Sequence, residues 1–167
     1  MATCSRSLAA ALAAASLMGL SATSWATSNL PNTFSGLAGR WSGHGIVKPG
    51  SGPAGSFKCV VTYIPQGSPT RLQQNLRCSS ANYKLDARTH LELRGDRVVG
   101  RWQDNIYTGL NGTVSGVVKD GGFDVVLTGQ FFQARMIIAG SRCEQLVKVT
   151  PARADYIREV SASLKKC

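Results

Sequence analysis

The sequence predicts an all-β protein, an antiparallel eight- to nine-stranded meander barrel with one C-terminal α-helix. Apolar and polar residues alternate through most of the chain, which is the pattern of strands with one buried face. Clusters of Gly, Pro, Asn and Asp interrupt the alternation at strand-length intervals, as expected where short turns join strands. Hairpin-like connections favour a barrel, which removes exposed strand edges, over the alternative of a two-sheet sandwich.

The composition fits a single folded domain. The chain has 167 residues and is 43% hydrophobic, with 18 Gly and 6 Pro, which excludes a disordered or collagen-like chain. Lys and Arg number 19 against 9 Asp and Glu, so the formal net charge is +10. Such a charge favours acidic partners or simply a well-solvated surface.

Residues 1–26 have the pattern of a secretory signal peptide. Arg6 precedes an apolar run over 8–20, which is too short to span a membrane, and Ser24-Trp25-Ala26 has small residues where a signal peptidase cleaves. The basic residues are mostly Arg, and Ala and Gly are abundant, as in GC-rich bacteria, so we expect export to the periplasm. An extended leader at 27–37 and a single barrel domain at 38–167 follow, with no later membrane-spanning segment.

Nine segments show strand-like alternation or strand-forming residues between turn signals. In chain order they are Gly39–Val47, Phe57–Ile64, Arg71–Cys78, Tyr83–Leu93, Val98–Gln103, Thr113–Val118, Phe123–Thr128, Phe131–Ile138 and Cys143–Val149. The third is the clearest half-buried strand, because Leu72, Leu76 and Cys78 oppose polar neighbours. Arg94-Gly95-Asp96 predicts a turn, and Asn111-Gly112 predicts a hairpin.

The end of the chain predicts a helix over 151–166. Thr150 is a suitable N-cap, and Pro151 suits the first helical position. Tyr156, Ile157, Val160 and Leu164 recur at helical spacing and would form one apolar face against the sheet. Lys165 and Lys166 would then lie in the last turn, where they complement the helix dipole.

Four cysteines follow the predicted signal. An even number in an oxidising compartment predicts two disulfides, and the absence of a C-x-x-C pair argues against a metal site. Cys59 and Cys78 fall on neighbouring strands with their side chains inward, so Cys59–Cys78 is the preferred pair and leaves Cys143–Cys167. Four cysteines allow three pairings, and the other two stay open.

Recognisable catalytic motifs are missing from the sequence. It has no G-x-S-x-G or H-E-x-x-H motif, and nothing places two carboxylates together. His44 and His90 are expected to be solvent-facing strand residues, although the small neighbours of His44 would also let a flat ligand such as haem approach. We therefore expect no metal, no cofactor and no enzymatic activity.

Gly39-Arg40-Trp41 at the start of the first strand resembles the G-x-W signature of lipocalins and related calycin barrels. The resemblance implies a tryptophan that plugs one barrel end, with a basic residue over it, here Arg135 or Lys148. Ala38-Gly39-Arg40-Trp41 followed by Cys59 is also similar to small periplasmic protease inhibitors of bacteria, which are eight-stranded barrels. That second resemblance implies that an extended segment, Thr27–Gly36, enters a protease cleft.

Together these features predict an exported non-enzymatic binding protein that holds a small apolar or amphipathic ligand with an anionic end. The candidate ligand-binding residues are Trp41, Tyr63, Trp102 and Phe131 in the barrel, with Arg71 and Arg77 on a basic stripe. The alternatives are a periplasmic protein-binding module such as a protease inhibitor, or a basic structural protein bound to an acidic envelope component. Nucleic acid is not expected, because no aromatic residues interleave with the basic ones. The oligomeric state is left open.

Overall fold

A computed structural model of the chain describes residues 34–166, apart from 82, 108, 120, 121 and 142. Each strand pairs antiparallel with its neighbours in sequence, and the first strand pairs with the tenth, so the sheet closes into a barrel. The predicted all-β antiparallel barrel is thereby confirmed. The predicted signal peptide and the leader up to residue 33 lie outside the described residues. Within the described part of the chain, no helix is long and apolar enough to cross a membrane.

The barrel has ten strands, preceded by a short 3-10 helix at Ser35–Leu37. The strands are β1 Gly39–Pro49, β2 Gly55–Pro65, β3 Arg71–Ser79, β4 Lys84–Arg94, β5 Arg97–Asp104, β6 Asn111–Lys119, β7 Gly122–Gly129, β8 Gln133–Gly140, β9 Glu144–Pro151 and β10 Ile157–Lys165. Because successive strands run in opposite directions, every second connection lies at the same end of the barrel.

The predicted C-terminal helix at 151–166 is wrong, and β10 is the reason that the barrel has ten strands rather than eight or nine. Pro151 ends β9, and β10 occupies most of the predicted helix. Val160 and Leu164 point inward at a spacing that fits a strand as well as a helix. Without β10, β1 and β9 would each expose an unpaired edge, so the hydrogen bonds of closure override the local helical pattern.

Ion pairs on the outer wall reinforce the position of β10. Glu159 on β10 accepts hydrogen bonds from Lys148 on β9 at 2.7 Å and from Lys48 on β1 at 2.9 Å. These bonds, that from Lys148 first, favour the carboxylate and lower the pKa of Glu159 to about 2. The closing strand is therefore bridged on both sides.

One of the predicted turns is present and the other is not. Gly95, with a φ of 67°, forms the β4–β5 turn at Arg94-Gly95-Asp96. The hairpin predicted at Asn111-Gly112 is wrong, because both residues belong to β6. Gly112 pairs with Trp102 on one side and Gly129 on the other, and a Cβ there would lie 2.7 Å from the indole nitrogen. Close packing, not a turn, requires this glycine.

The barrel end at which β1 begins is closed by aromatic side chains. Trp41 is fully buried, and its Nε1 donates a hydrogen bond to the carbonyl of Leu37 at 2.7 Å. Phe34 is also buried, its ring lies 5.7 Å from that of Phe123, and its backbone N–H donates to the carbonyl of Pro69. The last residues of the leader predicted at 27–37 therefore form part of this plug.

The basic residue over Trp41 is neither of the two that the resemblance implied. The Nζ atom of Lys166 lies 5.6 Å from the centre of the Trp41 ring. Arg135 instead donates to Asp124 at 2.8 Å, and Lys148 pairs with Glu159. A cation from the end of the chain covers the plug because β10 returns to the strand on which Trp41 lies.

The predicted Cys59–Cys78 disulfide is confirmed. The two residues are directly opposite each other on β2 and β3, with Cα atoms 4.1 Å apart. Cys143 is also disulfide-bonded. Its predicted partner, Cys167, lies outside the described residues, so the pairing Cys143–Cys167 stays a prediction.

Candidate functional site

The barrel interior is tightly packed near the plugged end, which we call the closed end. Nine inward side chains fill its centre and are at most 6% exposed: Trp41, Val61, Tyr63, Leu72, Leu93, Val98, Val114, Val125 and Leu164. The hydroxyl of Tyr63 donates to Oε1 of Gln145 on the far wall at 3.3 Å. Burial raises the pKa of Tyr63, so the phenol keeps its proton and links the two walls. Little room for a ligand remains in this half.

The other half, towards what we call the open end, keeps part of its inner surface accessible. Several large inward side chains there are only half-buried: Phe57, Leu76, Trp102, Leu127, Met136, Val147 and Val149. They come from several different strands and belong to the inner face of the open half, which we call the lumen. This apolar lumen is the part of the barrel interior that can receive a small apolar molecule.

Trp102 is the largest side chain on the wall of the lumen. Its ring lies 5.3 Å from that of Phe132, and it packs against the two paired glycines Gly112 and Gly129. A Cβ on Gly129 would contact Phe132 at 2.9 Å and Trp102 at 3.1 Å. The indole nitrogen is buried and has no hydrogen-bond partner in the described structure. The two glycines thus let the indole lie close to the wall, with Phe132 beside it.

Asp104 organises the loops at the edge of the lumen. One carboxylate oxygen, Oδ1, accepts hydrogen bonds from the N–H groups of Ile106 and Tyr107, both at 2.7 Å, and orders the β5–β6 loop. The other oxygen is buried and has no partner among the described residues. Burial first, and then Asp104 and Tyr107, raise the pKa of Tyr83 on the β3–β4 loop. The Asp104 carboxylate thus orders the β5–β6 loop and acts electrostatically on Tyr83 of the β3–β4 loop.

Large apolar side chains surround the mouth of the lumen on four loops and at the first residue of β10. We call this set the aromatic rim, and it comprises Tyr83, Ile106, Tyr107, Leu110, Phe131, Phe132, Tyr156 and Ile157. Each is more than a third exposed, and Phe131 and Tyr156 reach 79% and 88%. The lumen therefore opens to solvent through a ring of apolar groups.

The structure separates the six predicted ligand-binding residues into four places. Trp41 and Tyr63 belong to the packed closed half, Trp102 lines the lumen, and Phe131 lies on the rim. Arg71 and Arg77 are exposed on the outer wall of β3, and Arg77 Nε pairs with Asp86 at 3.0 Å. Alternation already places these two arginines opposite the inward Leu72 and Leu76, and the structure keeps them away from the lumen.

Sequence reasoning missed Phe132, Gly112, Gly129, Tyr83 and Asp104. A glycine inside a regular strand indicates that a large side chain or another backbone packs closely against it. At Gly112 the preceding asparagine forms an Asn-Gly pair, which is also typical of a hairpin turn. Phe132 stands beside Phe131 in the sequence, but the β7–β8 loop turns only Phe132 towards Trp102.

A basic row crosses the outer wall near the open end. His44, Lys58, Ser79 and Lys84 are directly paired neighbours on β1 to β4. Two adjoining depressions of about 300 and 340 Å³ border this row. His90 is exposed elsewhere on the wall, opposite Arg101. The described residues contain no group of three or more His, Cys, Asp or Glu that could hold a metal ion.

The fold is shared with solved structures of distant sequence. Rv2717c from M. tuberculosis superposes with a TM-score of 0.64 at 15% identity, over 80% of this chain and 94% of that one. An S-type phycobiliprotein lyase, CPES from Guillardia theta, superposes with a TM-score of 0.60 at 10% identity, over 80% and 90%. No protein-family model and no curated protein matches the sequence. The likeness shows the barrel fold, and we assign the chain to no family.

The second of these structures corrects the prediction that this chain is not an enzyme. The prediction rested on missing motifs, yet a protein named as a lyase has the same architecture. Missing motifs are therefore no argument against catalysis in this barrel. At 10% identity, the likeness also carries no activity to this chain.

Replacing Gly112 by alanine should disturb the Trp102 wall. The added Cβ would lie against the backbone of Thr128 and the indole nitrogen, so we expect a loss of about 1–3 kcal/mol in unfolding free energy and a shifted Trp102 emission. Gly55→Ala is the control, because nothing lies within 4 Å of the position that its methyl group would take. Urea unfolding and fluorescence measure both, and equal stability of the two variants would contradict this packing.

Proposed function

We propose that this protein is an exported ligand-binding barrel that takes a small apolar or amphipathic molecule through its open end. One observation carries the proposal: seven large inward side chains of the open half, Trp102 among them, are only half-buried, whereas the centre of the closed half is filled by side chains that are at most 6% exposed. A barrel whose purpose is purely structural gains stability by filling both halves. Half-buried apolar side chains around one space are what a small apolar ligand would cover.

The ligand we infer enters with its apolar part against Trp102, Leu127 and Met136. Its polar end would remain at the mouth, where Tyr83 and Tyr107 carry hydroxyls and Lys84 lies nearby on β4. An anionic end suits Lys84, which has no carboxylate partner among the described residues. Arg71 and Arg77, which the sequence suggests for this role, lie on the outer wall of β3.

Export to the periplasm is part of the proposal. The predicted signal at 1–26 and the Cys59–Cys78 disulfide both support an oxidising compartment. For the experiments below, the full chain is expressed with its signal and recovered from the periplasm of a bacterial host. The mass of the recovered protein is expected to correspond to a chain that begins at Thr27.

Filling the lumen tests the proposal. The probe is cis-parinaric acid, a fatty acid that becomes fluorescent in an apolar environment, and we expect saturable binding of one molecule per barrel. Met136→Trp places a larger side chain in the lumen and should weaken binding about tenfold or more, which is at least about 1.4 kcal/mol. Ile137→Trp, the outward neighbour on β8, is the matched control and should leave binding unchanged.

A second pair of variants keeps the test valid if the Met136→Trp protein does not fold. Val147→Phe fills the lumen from β9, and Leu146→Phe is its outward control at 63% exposure. Urea unfolding shows which variants are folded. If no saturable binding occurs, or if inward and outward substitutions weaken it equally, the lumen is not the site.

A further inference from the structure

The aromatic rim gathers most of the exposed large apolar side chains of the described chain at one end. Eight of thirteen belong to it, and the other five are scattered over the outer wall: Ile46, Ile64, Val117, Ile137 and Leu146. The described parts of the closed-end connections expose none. The open-end connections are longer on average, and the described closed-end connections contain no large apolar residue.

Backbone hydrogen bonds join neighbouring segments at the open end. The N–H of Asn105 donates to the carbonyl of Asp86, and the N–H of Ala152 donates to that of Gln133, which ties neighbouring open-end segments together. The β1–β2 loop joins the same end, since the N–H of Gly50 donates to the carbonyl of Tyr156. Exposed apolar side chains gathered at one end of a protein are typical of a binding surface.

The composition of the rim indicates what covers it. Three Tyr and two Phe, with Leu and Ile, are side chains that enter the interfacial layer of a bilayer, with the Tyr hydroxyls at the headgroups. They project from separate open-end connections around the mouth rather than from one helix or strand. A planar, deformable surface fits such a ring better.

Charge at the open end favours an anionic surface. Lys84, Arg153 and Arg158 flank the rim, and Asp155, the exposed acid there, is paired with Arg153 at 3.3 Å. Asp104 is buried, and Asp86 is paired with Arg77. The whole chain has a formal charge of +10, so long-range attraction acts in the same direction.

We propose that the aromatic rim docks the barrel on an anionic lipid bilayer, with the mouth of the lumen facing the acyl chains. Docking in this orientation would let an apolar molecule pass between the bilayer and the lumen without crossing water. The membrane contact itself depends only on the rim and its flanking cations, so it can be tested independently of ligand binding inside the barrel.

Vesicle flotation of the full exported chain tests the contact. We expect binding to vesicles that contain phosphatidylglycerol, weak binding to phosphatidylcholine alone, and release at high salt. Phe131→Ser with Tyr156→Ser should weaken binding about tenfold or more, because both apolar side chains lose their place in the interface. Ile137→Ser with Leu146→Ser removes two exposed apolar side chains from the outer wall and should change nothing.

Two double variants that each remove two cations distinguish attraction by the open end from attraction by the net charge of the whole chain. Lys84→Gln with Arg153→Gln removes two cations at the open end, and Arg97→Gln with Lys119→Gln removes two at the closed end. We expect the first pair to weaken vesicle binding several-fold more than the second. Equal losses, or a rim variant that binds vesicles as the wild type does, would overturn the proposal.

Two further measurements distinguish membrane docking from ligand binding and from self-association of the chain. Uptake of cis-parinaric acid from vesicle-free solution should be the same in Tyr156→Ser alone and in the wild type, so failure of the lumen is distinguishable from failure of docking. Sedimentation velocity without lipid should give a monomer. A dimer that disappears in the rim variant, without vesicle binding, would assign the rim to a second copy of the chain and overturn membrane docking.

Discussion

Trp41→Ala is expected to lower the free energy of unfolding by about 3–5 kcal/mol. The side chain is fully buried, packs edge-on against Tyr63 at 6.4 Å between ring centres, and lies beneath the ammonium of Lys166. Its loss also leaves the carbonyl of Leu37 without the indole donor. A cavity at the plug would thus combine lost apolar burial with a lost hydrogen bond.

Urea unfolding, followed by circular dichroism, measures this effect. Phe131→Ala is the control, since it truncates an aromatic side chain that is 79% exposed and should cost little. Trp41→Phe should restore much of the stability, because it refills most of the volume without the N–H donor. A loss below about 1 kcal/mol for Trp41→Ala would mean that the closed end is not a packed plug.

Removing the Cys59–Cys78 bond has the second large expected effect. The bond closes a loop with a sequence separation of 19, so Cys59→Ala with Cys78→Ala should lower the unfolding free energy by about 3 kcal/mol. The stabilisation arises mainly because the cross-link restricts the unfolded chain. The native strands are already held by the β2–β3 ladder, so we expect the variant to keep its fold.

The control for this variant is the adjacent cross-strand pair. Val60→Ala with Arg77→Ala alters two directly opposed outward residues of the same strands and should cost much less. Urea midpoints with and without reductant complete the measurement. Reductant should lower the midpoint of the double cysteine variant only through the bond of Cys143, and therefore less than it lowers that of the wild type. An equal response would show that Cys59–Cys78 contributes nothing.

The strands of the barrel were predictable because their signals are local. Two-residue alternation placed Trp41, Val61, Tyr63 and Leu72 in the interior, where they lie. The Cys59–Cys78 pair followed from the same alternation, because both side chains point inward on neighbouring strands. Alternation is dictated by the geometry of the strand itself and needs no distant partner.

The candidate site was predictable only in part. Trp102 was assigned to the interior correctly, but its neighbours depend on Gly112 and Gly129, whose role emerges only when β6 and β7 lie side by side. The rim could have been predicted from the sequence, because every second loop of a meander lies at the same end of the barrel. The predicted helix prevented this, because it placed Tyr156 and Ile157 on a helix face rather than in the β9–β10 loop and at the start of β10.

The sequence by itself determined the alternation of inward and outward side chains, the turn at Gly95, and the residues that are joined in the first disulfide. The tertiary structure alone decided that residues 157–165 form a strand and that four distant loops meet around one mouth. Both depend on the pairing of β10 with β1, two strands at opposite ends of the described chain. The local pattern of this segment is compatible with a helix or a strand. It forms a strand because the edges of β1 and β9 would otherwise be left without hydrogen-bond partners.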